Sequence, residues 1–248
     1  MAVYVFDGSF DGLLTVIYHA FKEQSEPTAI YTKADFNGDL FSQVIEVNTD
    51  SEKASKVFNG IINKNSREIL QRIYYLFLSE VEGSYLVIYR YLKKLGKLGK
   101  EYDQNLQDET IRLAHKISQT VSRERHRMLG LARFQCLGED IYYAKIEPEH
   151  DIVELLAPHF AKRLSNQVWC IHDLKREKAV MYNNGEWVTT TFSKDMQIKG
   201  HTSSEQLYEQ LWQKHFKHIA IKNKINPKLQ MQKMPKKYWQ HLTEKTTF

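Results

Sequence analysis

The chain has 248 residues, 42% of them hydrophobic and 12% aromatic, and a net charge of +5. Such a length and apolar content suit one large domain or two small ones with a sizeable core, and they exclude a disordered polymer. No run of about 18 apolar residues occurs, so no membrane-spanning helix is expected, and the N-terminal apolar run lacks the basic flank of a secretory signal.

AVYVF at the start reads as a strand, and from Asp11 the residues Leu13, Leu14, Ile17 and Phe21 recur at helical spacing. TAIYT and SQVIEV are short strands split by the loop KADFNGD. TDSEKASKVFNGIIN then predicts a helix capped by Asp50 or Ser51. Residues 66–130 form a helical middle of three segments. SREILQRIYYLFLSE is capped by Ser66, GSYLVIYRYLKKLGKLGK stops at Gly96 and Gly99, and QDETIRLAHKISQTVSRERHRML ends near Gly130. The basic GKLGKEY link between the last two predicts an exposed loop. Residues 131–198 change to LARFQCL and IYYAKI strands, the helix EHDIVELLAPHFAKRL, and the strands QVWCIHDL, AVMY and WVTTTF, with a hairpin signal at NNG. Residues 199–248 add a helix at 204–221 and a basic tail.

The expected class is therefore α+β. It has an N-terminal mixed α/β portion (1–65), a helical segment (66–130), an antiparallel sheet with a packed helix (131–198), and a helix with a basic C-terminal tail (199–248). These portions could all be layers of one body. Cys136 and Cys170 sit in apolar strands and read as reduced core thiols of a cytoplasmic protein. Two thiols fall short of a four-thiolate zinc or iron–sulfur site.

Charge is distributed unevenly. Residues 211–248 carry nine lysines against one glutamate, and residues 84–133 carry eleven Lys/Arg against five acids. The remaining two segments are then acidic, an asymmetry that points to a polyanionic partner. In SRERHRMLGLARF, Arg123, Arg125, Arg127 and Arg133 are candidate phosphate contacts, with Arg123 and Arg127 on one helix face. The competing reading pairs them with acids such as Glu147 and Glu149. In the tail, Lys224, Lys228, Lys236 and Lys237 are candidate backbone contacts. Tyr238 and Trp239 either stack on unpaired bases or pin the tail to the body.

Two other stretches bear chemistry-rich residues. FDGSFDG holds Asp7, Ser9 and Asp11 and begins like a calcium loop, but the twelfth position is Tyr18 rather than glutamate. It reads instead as a strand-to-helix turn in which Ser9 or Asp11 caps the helix, with an anion site at the helix start as the functional alternative. EPEHDIVELLAPHFAKRL and WCIHDLKR hold His150, His159, His172 and Asp173, a candidate acid/base set. The rival reading makes His172 a satisfied core histidine and Asp151 with Glu154 a capping box.

Five stretches together, YVFDGSFDGLLTVIY, RERHRMLGLARF, YYAKIEPEHDIVELLAPHFAKR, WCIHDLKREKAVMY and NPKLQMQKMPKKYWQHLTE, resemble an uncharacterised bacterial family assigned to DNA metabolism and DNA repair. They run in family order along nearly the whole chain. In that family the protein typically accompanies a radical S-adenosylmethionine protein, and elsewhere a similar region is fused ahead of a uracil-DNA-glycosylase-like domain. This chain has Lys224 and Lys237 where arginine is common, and Leu164 where phenylalanine is usual. The resemblance implies an accessory role on single-stranded or damaged duplex DNA, with the cofactor carried by the partner and none expected here. It transfers no catalytic residues. An enzyme acting on DNA or nucleotides through the His/Asp set, and a protein-docking module without DNA affinity, are the alternatives.

Overall fold

A computed structural model describes residues 2–23, 26–38, 42–64, 66–137, 141–193, 211 and 227–245. The chain divides into two units, Met1–Ser122 and Arg123–Phe248, and the α+β class is as expected. Among the described residues no helix is long and apolar enough to cross a membrane.

The first unit opens with β1 (Ala2–Phe6), every residue of which is buried. It is the middle strand of a parallel three-stranded sheet, flanked by β2 (Pro27–Thr32) and β3 (Gln43–Glu46) in the order β2-β1-β3. A strand covered on both faces reads as a continuous apolar run, which is why AVYVF lacks alternation. α1 (Phe10–Lys22) carries the crossover from β1 to β2. α2 (Ser51–Lys64) follows β3, and its first turn is capped by Asp50, whose Oδ1 accepts from the Glu52 and Lys53 amides. α3 (Arg67–Leu78) begins at Ser66, whose Oγ accepts from the Ile69 amide. α4 (Ser84–Leu98) runs through Gly96 and ends at Gly99, where φ of +84° favours glycine. One core joins these elements: Phe6 of β1 meets Tyr85 of α4 edge-on at 5.3 Å, and Leu13, Ile17, Ile73, Leu76 and Ile88 are fully buried.

The GKLGKEY link is exposed only as far as Glu101. A short 3-10 turn (Lys100–Gln104) then carries Asp103 inward to 6% exposure. α5 (Glu109–Leu131) starts at Asp108, whose Oδ1 accepts from the Thr110 and Ile111 amides.

The second unit begins within α5 and continues with a five-stranded sheet of order β4-β5-β6-β7-β8. Its strands are β4 (Phe134–Cys136), β5 (Ile141–Ile146), β6 (Val168–Asp173), β7 (Lys178–Asn183) and β8 (Glu186–Thr191). Three of the four pairings are antiparallel, as expected, but β5 and β6 pair in parallel. The reason is α6 (Val153–Arg163), which connects them and returns the chain to the end where β5 began. Phe160 of α6 and Phe134 of β4 pack edge-on against each other and against the buried Trp169. The β7–β8 hairpin turns on Asn184 and Gly185, both at positive φ (46° and 98°), as the NNG signal predicts. The described tail consists of α7 (Pro227–Lys233) and a 3-10 turn (Lys236–His241). Lys224 and, apart from Leu211, the helix expected at 204–221 lie outside the described residues.

Candidate nucleic-acid interface

Glu124 was hidden in the sequence as the one acid inside SRERHR. It is 3% exposed and is the hub of the second unit. Its carboxylate accepts from the backbone amides of Glu149 and His150, both at 2.9 Å, and from the hydroxyl of Tyr238. Lys237 Nζ lies 3.9 Å from it and forms a closer ion pair, at 2.6 Å, with Glu149. That pair holds the Glu149 carboxyl below its ordinary range. Burial, and then the hydrogen bond to Glu124, push the Tyr238 phenol far up, so it stays a neutral donor. A second buried acid, Glu244, takes both arms of Arg133, at 3.2 Å from Nε and 2.6 Å from Nη2. Both hubs clamp the tail.

The expected phosphate contacts therefore divide. Arg125 donates from Nε to the Leu155 carbonyl at 3.0 Å, Arg133 is bound to Glu244, and Lys237 is bound to Glu149, so these three are engaged by the fold. Arg123, Lys228 and Lys236 are exposed, and Arg127 is half-buried. Among the described residues none of these four has an ion-pair partner. The acids Glu147 and Glu149 pair with His241 and Lys237 instead of with the α5 arginines. In the tail, Tyr238 is 4% exposed and pins the segment rather than offering a stacking face. Trp239 is half-buried; its indole N–H donates to the Met234 carbonyl, and Lys245 lies 4.5 Å over its ring.

His150, His172 and Asp173 are held by separate partners, and the buried Nε2 of His159 has no hydrogen-bond partner among the described residues. His172 is 1% exposed. Its Nε2 faces the Phe192 carbonyl at 2.8 Å, an acceptor, so Nε2 carries the proton and Nδ1 accepts from Tyr143 at 2.7 Å. It is a satisfied core histidine. Burial pushes the Tyr143 phenol up to about 12 and the Cys170 thiol likewise to about 12, leaving both inert near neutrality. Asp173 is fully buried and paired with Arg176 at 2.7 Å; burial raises its carboxyl, and Arg176 opposes that rise. His150 is buried with its backbone amide on Glu124, and His159 lies edge-on to Phe160. The capping box expected from Asp151 and Glu154 does not form. Both carboxylates turn to Lys178 of β7, each at 2.9 Å, and α6 begins without a side-chain cap. No cluster of three or more metal-binding side chains occurs among the described residues.

In the first unit, Asp7, Ser9 and Asp11 form a turn. Ser9 caps α1 by accepting from the Gly12 amide at 2.9 Å, and Asp11 is exposed in the first turn. The Asp7 carboxylate accepts from the Ser9 amide and hydroxyl and from Thr49 Oγ1 at 2.7 Å, tying the turn after β1 to the loop after β3. Modest burial raises its carboxyl, but these donors outweigh that and leave it lowered. The second FDG supplies Gly12 because a Cβ there would stand 2.3 Å from Asp7 Oδ1.

Residues 82–244 match a family described as Domain of unknown function (DUF4130). No curated protein matches the chain.

Proposed function

The chain belongs to that domain family, and we propose that it is a DNA-binding protein of repair or modification, acting as an accessory to a radical S-adenosylmethionine partner. The observation that carries the binding half of this reading is the Glu124–Tyr238 contact. It docks the lysine-bearing tail against the same stretch of α5 that carries Arg123 and Arg127. Arg127 is close enough to Tyr238 to act electrostatically on its phenol. The tail and the arginine-bearing stretch of α5 thereby pack together, with Lys237 and Arg127 both beside the Glu124–Tyr238 contact, while Glu124 is buried and Glu147 and Glu149 are already paired. Such a surface suits a phosphate backbone, and its forked guanidiniums suit phosphate oxygens. The partner half of the reading rests on the family resemblance of the sequence.

The test is binding of the purified chain to fluorescent single-stranded, duplex, uracil-containing and abasic DNA at two salt concentrations, with the products sequenced. Salt-weakened binding without strand cleavage or base loss is expected. No binding at low salt would overturn the proposal and leave a protein-docking role.

A further inference from the structure

A second feature lies wholly in the first unit, in the stretch that the sequence presents as a helical middle. Asp103, brought inward by the 3-10 turn, accepts from Tyr91 at 2.6 Å, from Arg72 Nη1 at 3.0 Å and from His115 Nε2 at 2.9 Å. The Asp103 carbonyl also faces His115 Nε2, at 3.0 Å. Both partners of that nitrogen are acceptors, so Nε2 carries the proton and the ring is fixed with Nδ1 turned away from Asp103. Arg72 is oriented in the same way: only its Nη1 is bonded among the described residues, which leaves the rest of the fork uncommitted.

Arg72 and His115 line a cleft of about 520 Å³, within the range of small-molecule sites. Its other walls include Arg112 and Lys116, one turn apart on α5, and both are exposed with no ion-pair partner among the described residues. One acid, Glu68, stands on the lining, its carboxyl held below its ordinary range first by a hydrogen bond from the Ser66 side chain and to a lesser extent by Arg67 and Arg72. The remainder is amide, hydroxyl and apolar surface: Gln71 and Gln119, Ser118 and Ser122, Tyr75 and Leu106. Arg72, held from behind by the buried Asp103, and the exposed Arg112 and Lys116 border an open cleft with amides and an apolar wall, which matches a ligand with an anionic end and a flat polar body.

We propose that this cleft binds a nucleoside phosphate. Arg112, Lys116 and the uncommitted edge of Arg72 would receive the phosphate, and Leu106 and the glutamines would receive the base. Asp103 is a positioning residue that fixes Arg72 and His115. Every residue that lines the cleft belongs to the first unit, and the proposal stands or falls independently of the DNA-binding reading. The phosphate could belong to a free mononucleotide or to the 5′ end of a DNA strand.

Calorimetric titration of the full chain with each deoxynucleoside monophosphate and with the matching deoxynucleoside tests the site. The monophosphate should bind at least about tenfold tighter than the nucleoside, a factor that corresponds to about 1.4 kcal/mol, because only it offers charged oxygens to Arg112, Lys116 and Arg72. The double variant Arg112→Ala/Lys116→Ala, altered only at exposed positions, should lose about tenfold or more in affinity with an unchanged Tm. Arg123→Ala/Arg127→Ala should keep full nucleotide affinity. Competition by a 5′-phosphorylated oligonucleotide, but not by its 5′-hydroxyl twin, would assign the site to strand ends. Competition by the mononucleotide alone would assign it to free nucleotide. Absence of nucleotide binding at low salt, or binding unchanged in Arg112→Ala/Lys116→Ala, would overturn the proposal.

Discussion

In each unit a buried carboxylate centres a hydrogen-bond hub, Asp103 in the first and Glu124 in the second, and these two hubs differ in what surrounds them. Asp103 is met by side chains, those of Arg72, Tyr91 and His115, and two of these border an open cleft. Glu124 is met by two backbone amides and the tail phenol of Tyr238. Side-chain donors beside a cleft can turn to water when the acid is removed. Backbone donors fixed in a loop cannot, and each unsatisfied buried group costs about 1–3 kcal/mol. The first hub thus orients groups toward a ligand, while the second staples the chain.

This contrast makes ordered predictions. Glu124→Ala should cost most, about 3–5 kcal/mol, because it strands two amides and a phenol together. Asp103→Ala should cost less, about 2 kcal/mol, since Arg72 and His115 can rehydrate, yet it should weaken nucleotide binding where Glu124→Ala does not. Denaturant midpoints beside calorimetry measure both, and equal stability losses would erase the distinction. Tyr238→Phe keeps the ring and removes one donor, so about 1–2 kcal/mol should go. The loss should appear as faster hydrogen exchange in residues 227–245 while the β5–β6 core is unaffected.

A pH effect should be smaller still. Burial lowers the His241 imidazole below its ordinary 6.5, against the pull of Glu147. The unfolded chain then binds more protons than the folded one as pH falls below about 6.5, so stability is present above that value and declines beneath it. His241→Gln should flatten the stability profile between pH 6.5 and 5; an unchanged slope would assign the effect elsewhere.

Much of the fold was readable because its signals are local. Ser66 and Ser9 are caps, Asn184-Gly185 is a hairpin turn, and the apolar run of β1 marks a strand buried on both faces. The parallel β5–β6 pairing was less accessible, since it depends on which way α6 returns the chain rather than on any residue pattern. The hubs were hardest to see. Glu124 looks like one solvated charge among arginines, and Asp103 directly follows a basic glycine-containing link. Each becomes functional only through partners distant in sequence, Tyr238 for one and Arg72 for the other. Similarly, the eight expected phosphate contacts look alike in charge, yet Arg133 is bound to Glu244 and Arg125 to a helix carbonyl; helical spacing sets Arg125 apart from Arg123 and Arg127 but does not reveal the partner of either engaged arginine.

The most direct measurement is the salt dependence of single-stranded DNA binding for the native chain and for Arg123→Ala/Arg127→Ala. Removing two phosphate contacts should reduce the slope of log K against log salt by about 1.4, while stability shifts by no more than about 0.5 kcal/mol. An unchanged slope would contradict the placement of DNA on this surface.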